Sequence, residues 1–311
     1  MFKTCCAAAI LALATTATAH AAAPTEVSVN FADAFPESVT STKAGDLIIG
    51  GSRTGAVYRA NKGEAEAKLF IDPAKTGIKS VLGVFAVDAT NTLYVCSVSP
   101  RGANPPLPEQ SNLHTFNLKT GALIKSYPLP GGAAATCNDI ALDKAGNAYV
   151  AETSGGRILR LKKGGAALEE WSKDERMRGV DGLGFIADGQ LIVNTVTSGR
   201  MFRIPSDKAG NAGVVVELTP SVKLAAPDGI RSIGGNKLLQ AESRAARVTE
   251  ITIKGDAAEV RVVKEGAANA TSMTLVGKTV WFNDSKFNYN TDPALKGQNP
   301  LPFLIHSVPL N

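Results

Sequence analysis

Residues 180–204 read VDGLGFIADGQLIVNTVTSGRMFRI. A polar residue opens an apolar run, and Ala187-Asp188-Gly189 breaks it. A second run, LIVNT, stops at Ser198-Gly199, and a third, RMFRI, follows. Gly and Asp tolerate positive φ, so the breaks read as hairpin turns and the runs as short antiparallel strands. The pattern returns at 36–60 (PESVTSTKAGDLIIGGSRTGAVYRA), 137–161 (CNDIALDKAGNAYVAETSGGRILRL) and 227–251 (PDGIRSIGGNKLLQAESRAARVTEI). Fainter copies stand at 80–99 (SVLGVFAVDATNTLYVCSVS) and 271–290 (TSMTLVGKTVWFNDSKFNYN). Matching positions are evenly spaced: 43 residues from Asn138 to Asp181, 47 from Asp181 to Asp228 and 44 from Asp228 to Ser272. Glu37 to Asn138 spans 101, which is two repeats plus the Pro-rich insertion SPRGANPPLPEQSN at 99–112. A period near 45 residues carrying several strands is the signature of propeller blades.

The expectation is an all-β chain: one six-bladed β-propeller domain of four-stranded blades over 22–311. Terminal strands, FLIHSVPL (303–310) or EVSVNF (26–31), close the ring. An open sandwich is the alternative. Only ALEEWSKDERMR (167–178) shows helical periodicity. Trp171, Trp281 and Phe185 read as packing. The Pro-rich tail at 292–303 reads as a crossover at the channel mouth.

The first 21 residues do not belong to that domain. Lys3 precedes a small and apolar run, CCAAAILALATTAT (5–18), and Ala19-His20-Ala21 is a small-x-small cleavage site. This reads as a secretory signal peptide, so the product is exported, periplasmic or secreted, with no membrane association after cleavage. The charge of +5 is modest and unclustered, which gives no support to a nucleic-acid partner. Cys96 and Cys137 alone remain after cleavage. Export permits a disulfide between them; the alternative is two small buried apolar residues. With His114 and His306 as the only remaining histidines, a three-histidine metal site is impossible. A Ser-His-Asp triad has weak support.

In a propeller the first strand of each blade lines the channel, so equivalent positions in different blades converge near the axis. Glu37, Asn138, Asp181 and Asp228 stand at four such strand entrances. Three carboxylates at one spot repel unless a cation sits among them. Oxygen donors favour a hard divalent ion, calcium first, with magnesium, zinc or manganese as alternatives. Against this, an Asp or Asn at a strand entrance often caps its own turn. Asp88, Asp139, Asp143, Glu152 and Asp188 are read that way, and Asn283-Asp284 as solvated or turn groups. Arg101 and Arg231 lie where they could reach the mouth.

The segments PES at 36–38, ND at 138–139, DGLGF at 181–185 and PDGI at 227–230 resemble, in order and spacing, the senescence marker protein, gluconolactonase and luciferin-regenerating enzyme family of six-bladed propellers. The resemblance implies a divalent metal held by Glu37, Asp181 and Asp228, with Asn138 on substrate or a metal-bound water. It implies hydrolysis of a lactone or small ester, with Asp228 assisting as base. Two departures stand out. Asp181 replaces the family's Asn, and Thr136 occupies the place where many sugar-lactone members carry an Arg, which weakens the case for aldonolactones. The expected function is thus an exported, monomeric, metal-dependent hydrolase of a small molecule, with Asp228 and Asn138 as catalytic residues. The competing reading is a non-enzymatic propeller that binds a ligand or partner around a structural ion. Strictosidine synthase-like chemistry, which uses a Glu in an apolar pocket, fits the acidic cluster poorly.

Overall fold

The structure, a computed structural model, describes Met1 and residues 24–99 and 111–311. The signal segment, Arg101 and most of the 99–112 insertion fall outside these residues. A short strand β1 (Glu26–Val29) precedes the first sheet: β2 (Pro36–Ser41), β3 (Leu47–Gly51), β4 (Val57–Ala60) and β5 (Lys68–Ile71). The second holds β6 (Val81–Val87), β7 (Thr92–Ser97), β8 (Asn112–Asn117) and β9 (Leu123–Pro128). The third holds β10 (Cys137–Leu142), β11 (Ala148–Glu152), β12 (Arg157–Leu161) and β13 (Glu169–Lys173). Two further meanders follow. One is β14 (Val180–Phe185), β15 (Leu191–Thr195), β16 (Arg200–Ile204) and β17 (Val216–Pro220). The other is β18 (Pro227–Gly234), β19 (Lys237–Glu242), β20 (Arg247–Lys254) and β21 (Ala257–Glu265). A short parallel pairing, Thr219 to Ala257 and Pro220 to Ala258, joins their outer strands into one eight-stranded sheet.

The last sheet runs β22 (Met273–Val276), β23 (Thr279–Asn283), β24 (Phe303–Pro309), with β1 added outside β24. Glu26 pairs with His306 and Val29 with Phe303, so both expected closing strands are used. Each first strand packs against the next, and β22 packs against β2, so the first strands form a closed ring. The chain is an all-β propeller. The 167–178 segment, expected to be the helical candidate, is instead strand β13 and a single 3-10 turn at Glu175–Met177. Residue Trp171 explains why: its ring packs edge-on against Tyr149 and its indole N–H donates to Gly210 O at 2.9 Å, which holds β13 as a sheet edge. Among the described residues no helix is long and apolar enough to cross a membrane.

Apolar residues fill the spaces between sheets. Ile48, Val57, Val84, Val95 and Phe116 join the first and second; Trp171, Val180, Val193 and Phe202 join the third and fourth meanders. Each fully buried side chain of this size contributes roughly 1.5–3 kcal/mol. Trp281 packs, partly buried, on the core that unites β1, β3 and β24. Cys96 on β7 and Cys137 on β10 form a disulfide with Cα atoms 5.1 Å apart, tying the second sheet to the third beside Asn138.

Candidate functional site

The pairing of first and second strands slips between residues 36 and 38, 137 and 140, 180 and 183, and 227 and 230. Such irregularities bend a strand and re-aim a side chain. Here they fall on Glu37, Asn138, Asp181 and Asp228. All four side chains line one small buried void of about 10 Å³, with Asp139, Ser38 and Ser272 beside them. That volume matches about one water molecule.

The glycines after Asp181 and Asp228 serve this convergence. A Cβ on Gly182 would lie 2.3 Å from Asp228 O, and one on Gly229 would lie 2.9 Å from Thr271 O. Gly83 is tighter still, 2.0 Å from Asn138 O. The Asp-Gly pairs are therefore not turns; the glycine lets the neighbouring first strand approach. Two amides on second strands, which the sequence reading missed or misplaced, lock the arrangement. Asn194 accepts Gly182 N–H at 3.0 Å and donates to Asp228 O at 2.6 Å and Gln240 Oε1 at 3.0 Å. Asn283 accepts Ser272 N–H at 2.7 Å and donates to Pro36 O at 2.7 Å. Asn283 is fully buried, not solvated as expected. The available signal was its position: a lone amide closing an apolar second strand, as Asn194 does in LIVNT.

The cluster is short of positive charge. Burial pushes the Glu37 carboxyl well above its ordinary range, and the charges of Asp181 and Asp139 push it further, against a pull from Arg231. Burial and Asp139 raise Asp181 to about 7, opposed by hydrogen bonds from Asp228 and Asn138. Asp228 is raised by burial, then by Asp181 and Glu37. Asn138 Nδ2 donates to Asp181 Oδ2 at 2.9 Å and to Thr153 Oγ1 at 3.1 Å.

The four donors suit a hard divalent ion in type and in charge. They do not stand in a coordinating arrangement: among the described residues no group of three or more His, Cys, Asp or Glu does. The reason is local. Asp181 and Asp228 hydrogen-bond to each other, and Asn138 turns its nitrogen, not its oxygen, toward them. Holding an ion requires loss of the shared proton and a flip of the Asn138 amide.

Two residues read as turn groups are something else. Asp139 is buried inside the channel and takes two hydrogen bonds from Arg231 Nη1, at 2.8 and 2.7 Å. Arg231 also donates to Ile230 O and Val84 O, so it lies across the channel below the carboxylates and not at the mouth. Glu152 is fully buried at the end of β11. It accepts Thr136 N–H at 3.0 Å, Gly155 N–H at 3.0 Å and Arg157 Nε at 2.8 Å, and so stitches its own sheet. Asp143 and Asp188 do serve turns: they accept Asn147 N–H at 2.9 Å and Gln190 N–H at 3.0 Å. Asp88 accepts the Lys43 N–H from the neighbouring sheet at 3.0 Å.

His114 bonds Ser97 Oγ at 2.8 Å and Ser126 Oγ at 2.7 Å, with a serine where a triad needs a carboxylate. His306 pairs with Glu26 at the ring closure. None of residues 292–303 lines the acidic void. That tail is anchored instead by Lys286 Nζ, which donates to Pro300 O and Pro302 O at 2.7 Å each. A cavity of about 690 Å³ lies at the opposite end of the first strands, below Arg231.

No protein-family model matches the sequence, and no curated protein matches it. Its fold is nonetheless shared with solved propellers. A gluconolactonase from Xanthomonas campestris superposes with a TM-score of 0.61 at 15% identity, covering 90% of this chain and 89% of that one. A luciferin-regenerating enzyme gives 0.63 at 12% identity, covering 92% and 96%. Virginiamycin B lyase from Staphylococcus aureus gives 0.56 at 16% identity, covering 83% and 94%. Two of these are the kinds of enzyme that the sequence segments resemble, and at such identities the likeness speaks for the fold.

Proposed function

We propose that the chain is an exported six-bladed propeller hydrolase that opens a lactone or small ester with the help of one divalent ion. The observation that carries this is the meeting of Glu37, Asn138, Asp181 and Asp228, from four separate first strands, around one buried void lined by acidic side chains. Those four residues would hold the ion, calcium first and zinc, magnesium or manganese otherwise. When bound, such an ion polarises a carbonyl and lowers the pKa of water.

The chain's own groups supply the rest. Asp228 Oδ1 accepts Gly229 N–H at 3.1 Å, and once the proton shared with Asp181 is gone the Asp228 carboxylate takes the proton of the attacking water. Asn138, whose amide already donates to a carboxylate, orients the substrate oxygen or the water. Arg231 and Asp139 stop the channel below, so water reaches the cluster from one side. Water adds to the acyl carbon, the ring C–O bond breaks, and the proton ends on the released oxygen, giving a hydroxy acid. Thr136, bonded to Ser154 Oγ at 2.7 Å, offers no cation for a sugar's hydroxyls, so an unsugared lactone or simple ester suits the site better.

The test is elemental analysis of the purified, dialysed protein beside an Asp181→Ala/Asp228→Ala variant, followed by a lactone and ester screen with and without chelator. About one ion per chain, lost in the variant, and chelator-sensitive turnover that falls at acid pH is the expected result. No ion after incubation with calcium, zinc and manganese, and no turnover, overturns it and favours a propeller that only binds.

A further inference from the structure

The cavity of about 690 Å³ below Arg231 takes no part in the proposed reaction. Its walls are the exit ends of the first strands and are mostly apolar: Phe85, Leu142, Leu183, Phe185 and Leu275. It runs into a neighbouring hollow of about 620 Å³; the two share Ser41, Phe85, Leu142, Lys144 and Leu275. Ligand sites of this size and apolar character, with a few polar groups, are usual for small molecules. The rim gives the occupant its chemistry.

The inner end is closed by Arg231, which lines the cavity and is 7% exposed. Lys43, Lys144, Lys162 and Lys163 surround the adjoining hollow. The two carboxylates there are already engaged, Asp88 by Lys43 N–H and Asp143 by Asn147 and Tyr149. Lys162 pairs with Glu169, so the four lysines against Asp88, Asp143 and Glu169 leave the rim one positive charge in excess around an apolar well.

We propose that this second mouth of the channel binds an amphipathic anion, an apolar body carrying one carboxylate or similar group, with the body between Phe85 and Leu275 and the anion at the lysine rim. This site is separate from the acidic cluster and requires no metal and no turnover.

The test is calorimetric titration of decanoate into the full mature protein in chelator, with decyltrimethylammonium as the charge-reversed control. Decanoate is expected to bind one saturable site in the micromolar range, and the cation at least tenfold more weakly. Ser232 lines the cavity from an exposed position, so Ser232→Trp fills it with little risk to the fold and is expected to abolish binding. Lys43→Glu/Lys144→Glu, at exposed positions, is expected to weaken it about tenfold, and more so at low salt. No saturation at millimolar decanoate, equal binding of the cation, or wild-type affinity in a folded Ser232→Trp protein each overturns the proposal. All of these readings are independent of whether the acidic cluster binds an ion or hydrolyses anything.

Discussion

Replacing Arg231 by Met removes, among the described residues, the cation that pairs with the carboxylates of the channel while keeping most of the side-chain volume. Arg231 and Asp139 have side chains 7% and 6% exposed and meet at 2.7 Å. At the effective dielectric of about 20 that suits protein sites, two unit charges about 4 Å apart attract by about 4 kcal/mol. Taking one partner away from a buried pair costs about 3–5 kcal/mol, because the other is left charged and unpaired. The loss is expected at the upper end here, since the stranded Asp139 faces Glu37 and Asp181, both of which feel its charge. Asp139→Leu should likewise cost about 3–5 kcal/mol, because it leaves the Arg231 guanidinium buried and unpaired. The double variant should then fall short of the sum by at least about 2 kcal/mol. Urea unfolding in chelator, followed by Trp171 fluorescence and far-UV circular dichroism, gives the cycle directly. An Arg231→Met protein within about 1 kcal/mol of wild type, or strictly additive variants, refutes the idea that this pair holds the channel together.

Ion-free stability should fall with rising pH. Asp181, raised to about 7, and Glu37 and Asp228, raised too, keep protons in the fold that the unfolded chain has released, so their stabilisation is full below about pH 4 and lost as pH rises through 7. His114, pushed down to about 4 by burial, works in the opposite sense below about pH 6.5. The window that isolates the carboxylates is therefore about pH 6.5–8.5, where the melting temperature in chelator should drop and saturating calcium should flatten the curve; a rise in chelator would contradict this. Opening the Cys96–Cys137 link, which spans 41 residues, should cost about 4 kcal/mol on a chain-entropy view, so the paired Cys→Ala protein should unfold at visibly lower urea. Gly182→Ala should cost about 1–3 kcal/mol or more, because the new methyl meets Asp228 O at 2.3 Å, and an unchanged urea midpoint would remove the close-approach argument.

The repeat made the architecture legible because each copy solves the same local problem: an apolar strand, a Gly turn, a second strand. The site was legible for the same reason, since four matching positions in a ring must face one axis. Asp139 and Arg231 were not, because 92 residues separate them and neither alone departs from turn or surface usage. The role of the glycines after Asp181 and Asp228 was not legible either. A glycine after an acid is the usual mark of a turn, and only the neighbouring strand's carbonyl shows that its missing Cβ serves a contact across sheets. Glu152 and Asn283 were read as loop groups because a polar residue closing an apolar run looks like the start of a turn. The backbone donors and acceptors that bury them belong to other segments of the chain.

Strand β1 is the first part of the described chain to be synthesised, yet its partner, β24, is the last. Glu26 must wait for His306, 280 residues later, before the two can bond. Until then β1 lacks its sheet partner, and the last sheet lacks its outer edge. Pairings this distant in sequence form slowly. A nascent chain therefore carries β1 without its sheet partner until β24 is made. Loss of β1 would uncover only the edge of β24, whereas loss of β24 would strand β1 and uncover β23.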